Sequence, residues 1–145
     1  MGWVSQRIED HQKISESLSP LWNTLRDSVG HAITEYKSRV SAIMDYSDCH
    51  ARGWMCIRVQ KAGSFIEIFL SSSDQKVKSA LGLIDLNRNT ETPGVRDICG
   101  YRLKEDRSAL EFHAGANSIT SDNVAQRALE EFLFQPFPTH IRPAL

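Results

Sequence analysis

Residues 45–50, Asp-Tyr-Ser-Asp-Cys-His, form the densest run of nucleophiles, acid–base groups and metal ligands in the chain. A zinc site draws on ligands spaced so that they converge, commonly as Cys-x-x-Cys pairs. Cys49 and His50 are adjacent, and Cys56 stands outside that spacing. A nucleophilic Cys–His pair can be drawn from Cys49, Cys56 or Cys99 with His50 or His113, but no motif selects one. Cys56 and Cys99 read instead as small buried hydrophobes. His31 and Glu35 lie one helical turn apart, a pairing that contributes about 0.2–0.5 kcal/mol and is normally solvated. His11 interrupts an apolar seam, the usual place of a half-buried, hydrogen-bonded histidine. The chain has no Gly-rich phosphate loop, Gly-x-Ser-x-Gly elbow or His-Glu-x-x-His. No catalytic, cofactor-binding or metal-ligating residue is predicted, and the expectation is a non-enzymatic protein.

A second constellation lies in residues 54–71, whose pairing register is legible. Two apolar-rich runs, WMCIRVQ and FIEIFLS, flank Lys61-Ala62-Gly63-Ser64. With Ala62-Gly63 at the tip, Arg58 falls opposite Glu67. Met55, Ile57 and Val59 then fall opposite Leu70, Ile68 and Ile66. A one-residue slip breaks both matches at once. One face of this hairpin is wholly aliphatic. The other carries Trp54, Cys56 and Arg58 against Phe69, Glu67 and Phe65, too apolar for plain solvent and too charged for ordinary core. Trp54, Arg58, Phe65, Glu67 and Phe69, with Arg102 and His113 from a later hairpin, are the candidate binding face. A stacking platform for bases is disfavoured, because 17 basic against 18 acidic residues give a net charge of −1.

The elements that must position these groups begin with helix. Val4, Ile8, Leu18, Trp22, Leu25, Val29, Ala32, Tyr36 and Ile43 share one seam, widened by Ile14, Leu21, Ile33 and Val40. Ser19-Pro20 resembles an N-cap followed by proline at the first helical position, which predicts two helices, 3–18 and 20–45. A turn follows at residues 48–53, and residues 71–76 form a polar connection. Residues 77–86 fit either helix or strand, and Gly82, costing a helix interior about 1 kcal/mol relative to alanine, favours strand. Residues 87–94 (NRNTETPG) read as a loop. A second hairpin is predicted over residues 98–103 and 108–113, with Leu103 opposite Ser108. Cys99, Tyr101, Leu110 and Phe112 then share one face, and Gly100, Arg102, Glu111 and His113 the other. Ser121 or Asp122 can cap a last helix ending near Phe134, before an irregular tail at residues 135–145.

Helices flanking grouped strands indicate an α+β fold: two N-terminal helices, an antiparallel sheet of four to five strands and a C-terminal helix, in a single domain spanning residues 1–145. At 145 residues the chain can bury a real core. Three cysteines without framework spacing favour free thiols in a reducing compartment. The N-terminal segment lacks the apolar core of a secretory signal, and no run reaches membrane-spanning length. A cytoplasmic protein with no membrane or nucleic-acid partner is expected. Helix 20–45 overhangs a seven-residue strand, roughly 39 Å against about 23 Å. That overhang predicts a homodimer or protein partner, with Trp22, Leu25, Val29 and Tyr36 as the self-association residues. The alternative is a small-molecule-binding protein or enzyme, its pocket between the outer sheet face and the N-terminal helices.

Overall fold

The aliphatic side of the hairpin is where the core assembles. In a computed structural model, which describes residues 2–40, 44–49, 55–61, 63–83 and 94–134, one helix α1 (Trp3–Arg39) precedes seven strands: β1 (Met44–Asp48), β2 (Cys56–Lys61), β3 (Ser64–Ser71), β4 (Lys76–Leu83), β5 (Gly94–Leu103), β6 (Leu110–Ala114) and β7 (Asn117–Ile119). Helix α2 (Ser121–Phe134) closes the order. The strands form one antiparallel meander in sequence order. The α+β class, the antiparallel sheet and the C-terminal helix are as expected; seven strands replace four to five, and one N-terminal helix replaces two.

Each difference has a local cause. Pro20 lies inside α1 and withholds its hydrogen bond from the carbonyl of Glu16. Both residues are exposed, so water can satisfy the orphaned carbonyl, and the helix continues. It ends at Arg39 instead of residue 45, because Val40 turns to extended backbone at φ −125° and ψ 125°. Residues 44–48, read as helix end and start of the turn, form edge strand β1, which pairs with β2 from Met44↔Lys61 to Asp48↔Ile57; residues 41–43 and 50–53 lie outside the described residues. The three-residue β7 is too short for periodicity to reveal.

Both helices pack on the aliphatic side. Leu25, Val29 and Ile33 of α1 and Val124, Ala128 and Leu129 of α2 meet Ile57, Val59, Ile66, Ile68, Val77 and Leu81 in one buried cluster. Burying a side chain of this size fully stabilises by about 1.5–3 kcal/mol. Polar ties fix the helix pair. The Tyr36 hydroxyl and the Lys61 ammonium both donate to the Leu133 carbonyl, at 3.2 and 2.9 Å, satisfying an orphan acceptor at the C-terminus of α2. At its N-terminus the Thr120 hydroxyl, one residue earlier than predicted, accepts from the Asn123 amide at 3.1 Å.

The first hairpin has the predicted register throughout, including Arg58↔Glu67, Ile57↔Ile68 and Val59↔Ile66. Residues 77–83 are strand, as Gly82 suggested. The later hairpin keeps the predicted faces but is shifted by two, with Leu103 opposite Leu110. Asp106 Oδ1 accepts from both the amide and the hydroxyl of Ser108, holding Ser108 in the turn and out of the ladder. Residues 84–93, which hold the end of the expected 77–86 strand and most of the expected 87–94 loop, fall outside the described residues together with the tail, and Gly94 opens β5 instead of closing a loop. No helix among the described residues is long and apolar enough to cross a membrane.

Candidate functional site

Strand alternation puts Cys56 and Arg58 of β2 and Phe65, Glu67 and Phe69 of β3 on the sheet face opposite the helices. Cys49 follows the last residue of β1 and continues its register, so it lies beside Cys56. Its amide donates to the Cys56 carbonyl at 2.9 Å. Cys49, Cys56, Phe69 and Ala80 of β4 form a small buried apolar cluster of their own. Within reach of that cluster sits a carboxylate: Glu67 is only 4 % exposed.

Glu67 is held by named groups. The Cys49 thiol donates to its Oε2 at 3.1 Å, and Arg58 Nη1 lies 3.7 Å from the same oxygen. The Arg58 guanidinium also stacks over the Phe65 ring, 4.1 Å from its centroid, an arrangement that adds a cation–π attraction. A carboxylate this buried is costly unless it is paired and hydrogen-bonded, and both conditions are met. The two cysteine sulfurs and a Glu67 oxygen all lie within 4.8 Å of one another. Two thiols, a carboxylate and a guanidinium can therefore act on one point. Thiol redox chemistry and soft-metal ligation are the reactions such a set supports.

The predicted binding-face residues divide. Arg58, Phe65, Glu67 and Phe69 converge as a unit, with both phenylalanines buried. Trp54 and His50 lie outside the described residues. Arg102 and His113 share the same face but belong to β5 and β6, across the sheet from the cluster. Arg102 pairs with Glu111 at 3.7 Å and donates to the Ala116 carbonyl at 3.0 Å. His113 Nδ1 lies 3.0 Å from the Gly115 carbonyl oxygen. Cys49 is the member that periodicity missed. Reading Tyr46 and Asp48 as alternate residues of an edge strand would have placed it opposite Cys56.

The residues expected to mediate self-association are core. Trp22, Leu25, Val29 and Tyr36 are all buried within the one chain, against the sheet and α2. Upstream the same helix is exposed, with Trp3, Val4 and Ile8 at 78, 51 and 53 %. The helices also lie on the aliphatic side, so the outer-face groups and α1 are on opposite sides of the sheet. A pocket between the two has no place in this arrangement. On the helical side a groove of about 640 Å³ lies between α1 and α2. Tyr36, Ala125, Leu129 and Leu133 supply its apolar lining, and Glu35, Asp122 and Glu130 its acidic groups.

Comparison with protein-family models, curated proteins and solved structures finds no match.

Proposed function

We propose that this chain is a self-associating module in which the exposed first two turns of α1 dock into the α1–α2 groove of a second copy. The observation that carries the reading is the change along one helix seam, buried from Leu21 to Tyr36 but exposed at Trp3, Val4 and Ile8. At 37 residues α1 is about 55 Å long, while the eight-residue strand β3 covers about 27 Å. Ile14 and Leu18 pack against the core and Asp10 pairs with Arg107 at 3.0 Å, so the seam lies open over the first two turns of α1.

Two features support a second copy as the occupant. The exposed seam carries Arg7 and His11 beside Asp10, which is paired with Arg107, and the groove carries Glu35, Asp122 and Glu130 against Arg39 and His31, an acidic balance. In an antiparallel pairing of two α1 helices centred on Leu21, Arg7 of each falls against Glu35 of the other. One two-fold axis then satisfies both docking events, as an isologous interface requires. An amphipathic helix in an apolar groove is also a recurrent recognition mode.

Light scattering after gel filtration at tens of micromolar tests this. A dimer is expected, reduced to monomer by Ile8→Glu, which sits at an exposed position and leaves the fold intact. Arg7→Glu and Glu35→Arg should each weaken the dimer, and the two together should restore it. A monomer at every concentration, or a dimer indifferent to Ile8→Glu and Trp3→Glu, overturns the reading.

A further inference from the structure

We infer that Cys49, Cys56 and Glu67 form a binding site for a thiophilic divalent cation, with zinc the ion that fits best. The three ligand atoms are buried and lie within 4.8 Å of one another. Tetrahedral zinc, with bonds of about 2.3 Å to sulfur and 2.0–2.2 Å to oxygen, holds such atoms about 3.6–3.8 Å apart. Closing the cluster around an ion takes side-chain shifts of about an ångström or less, and no change of register. The ligands come from the end of β1, from β2 and from β3, three adjacent strands whose pairing sets their spacing.

Charge accounting supports the same ion. Both sulfurs act as S–H donors here, Cys49 to Glu67 and Cys56 to the Ile57 carbonyl at 4.0 Å. Among the described residues, two neutral thiols, one carboxylate and the Arg58 guanidinium sum to zero. Zinc entering with loss of two thiol protons leaves two thiolates, the carboxylate, the dication and Arg58, which again sum to zero. A buried cluster thus exchanges two protons for one dication without acquiring net charge, which its burial would penalise. Thiolates exclude magnesium and calcium, which take oxygen ligands. The carboxylate distinguishes the site from an all-sulfur copper(I) site. Three protein ligands leave the fourth tetrahedral position to water.

The test is titration of the reduced, chelator-treated full chain with cobalt(II), followed by zinc. The expected result is one cobalt per chain, with thiolate-to-cobalt charge-transfer absorption and the visible bands of a tetrahedral ion, both bleached by zinc. Zinc binding should release two protons and raise the melting temperature. Cys49→Ser and Glu67→Gln should weaken binding by more than the 10–100-fold that an outer-shell change typically costs. Cys99→Ser should leave it unchanged. Circular dichroism of each variant separates ligand loss from misfolding, and the wild-type titration stands whatever the variants do. Absence of the charge-transfer band in the reduced wild type overturns the proposal. So does unchanged binding in folded Cys49→Ser.

Discussion

Phe65 on β3 lies across Gly82 on β4, so close that a Cβ on Gly82 would meet two ring carbons at 2.6 Å. The ring cannot swing away freely, because it is buried and the Arg58 guanidinium stacks on it. Gly82→Ala should therefore destabilise the protein by about 1–3 kcal/mol, the usual range for overpacking. Urea unfolding would measure it. A change smaller than 0.5 kcal/mol would show that Phe65 has another rotamer at little cost.

Pro20 distinguishes one helix from two. As an interior residue of α1 it removes a backbone hydrogen bond and crowds the preceding turn, at a cost of up to about 3 kcal/mol. Pro20→Ala should recover part of this and raise stability by about 1–3 kcal/mol. At the first turn of a separate helix, proline would instead be favourable and its replacement neutral or destabilising. Thermal unfolding of the variant decides between them by sign.

The contrast explains what could be read from residue types alone. Arg58↔Glu67 and the aliphatic pairs beside it were legible because a two-residue tip and two-fold alternation constrain the same register from two directions. α2 was legible because its stripe and its boundaries agree. Pro20 by itself marks a helix start, but the apolar stripe that packs on the sheet carries α1 through it at the proline's cost, with water able to satisfy the exposed Glu16 carbonyl. β1 was hidden by length, since five residues directly after a long helix continue its seam as readily as they begin a strand. Without β1 nothing in the residue pattern brings Cys49 to Cys56, so the outer face reads as a face without its thiol pair. Trp22, Leu25, Val29 and Tyr36, expected at a self-association surface, share an apolar stripe that is buried within this chain. Which half of that stripe the sheet covers depends on where the strands sit, which periodicity does not encode.

Ser79 sits on the helix side of β4, between Ile68 of β3 and Arg96 of β5, and is fully buried. Its hydroxyl finds no hydrogen-bond partner among the described residues. An unsatisfied buried hydroxyl costs about 1–3 kcal/mol by mutational measures. Ser79→Ala removes that cost and leaves only a small void. Stability should rise by about 1 kcal/mol in denaturant unfolding. A loss of similar size would mean that the hydroxyl is satisfied after all.

Cys99 should be the thiol whose ionisation the fold suppresses. It packs against the core beside β4, opposite Val77, and burial pushes its pKa up to about 12, with Arg127 opposing the shift. The sign follows from the neutral form being the buried one. Below about pH 7 both folded and unfolded chains hold the proton. As pH rises from there towards 12 the unfolded chain ionises first, so this group's contribution to stability falls. At pH 8 the folded thiol is ionised in only about one molecule in 10⁴, against roughly a quarter for a free cysteine near pKa 8.5. Because the thiolate is the nucleophile, iodoacetamide should label Cys99 about 10³-fold more slowly in the native protein than in urea, read by mass spectrometry of its peptide. Raising the pH to 9 should speed native labelling about tenfold. Native labelling as fast as in urea would place Cys99 in water, and with it the β4–β5 irregularity at Val77 and Lys78 that turns the residue towards the core.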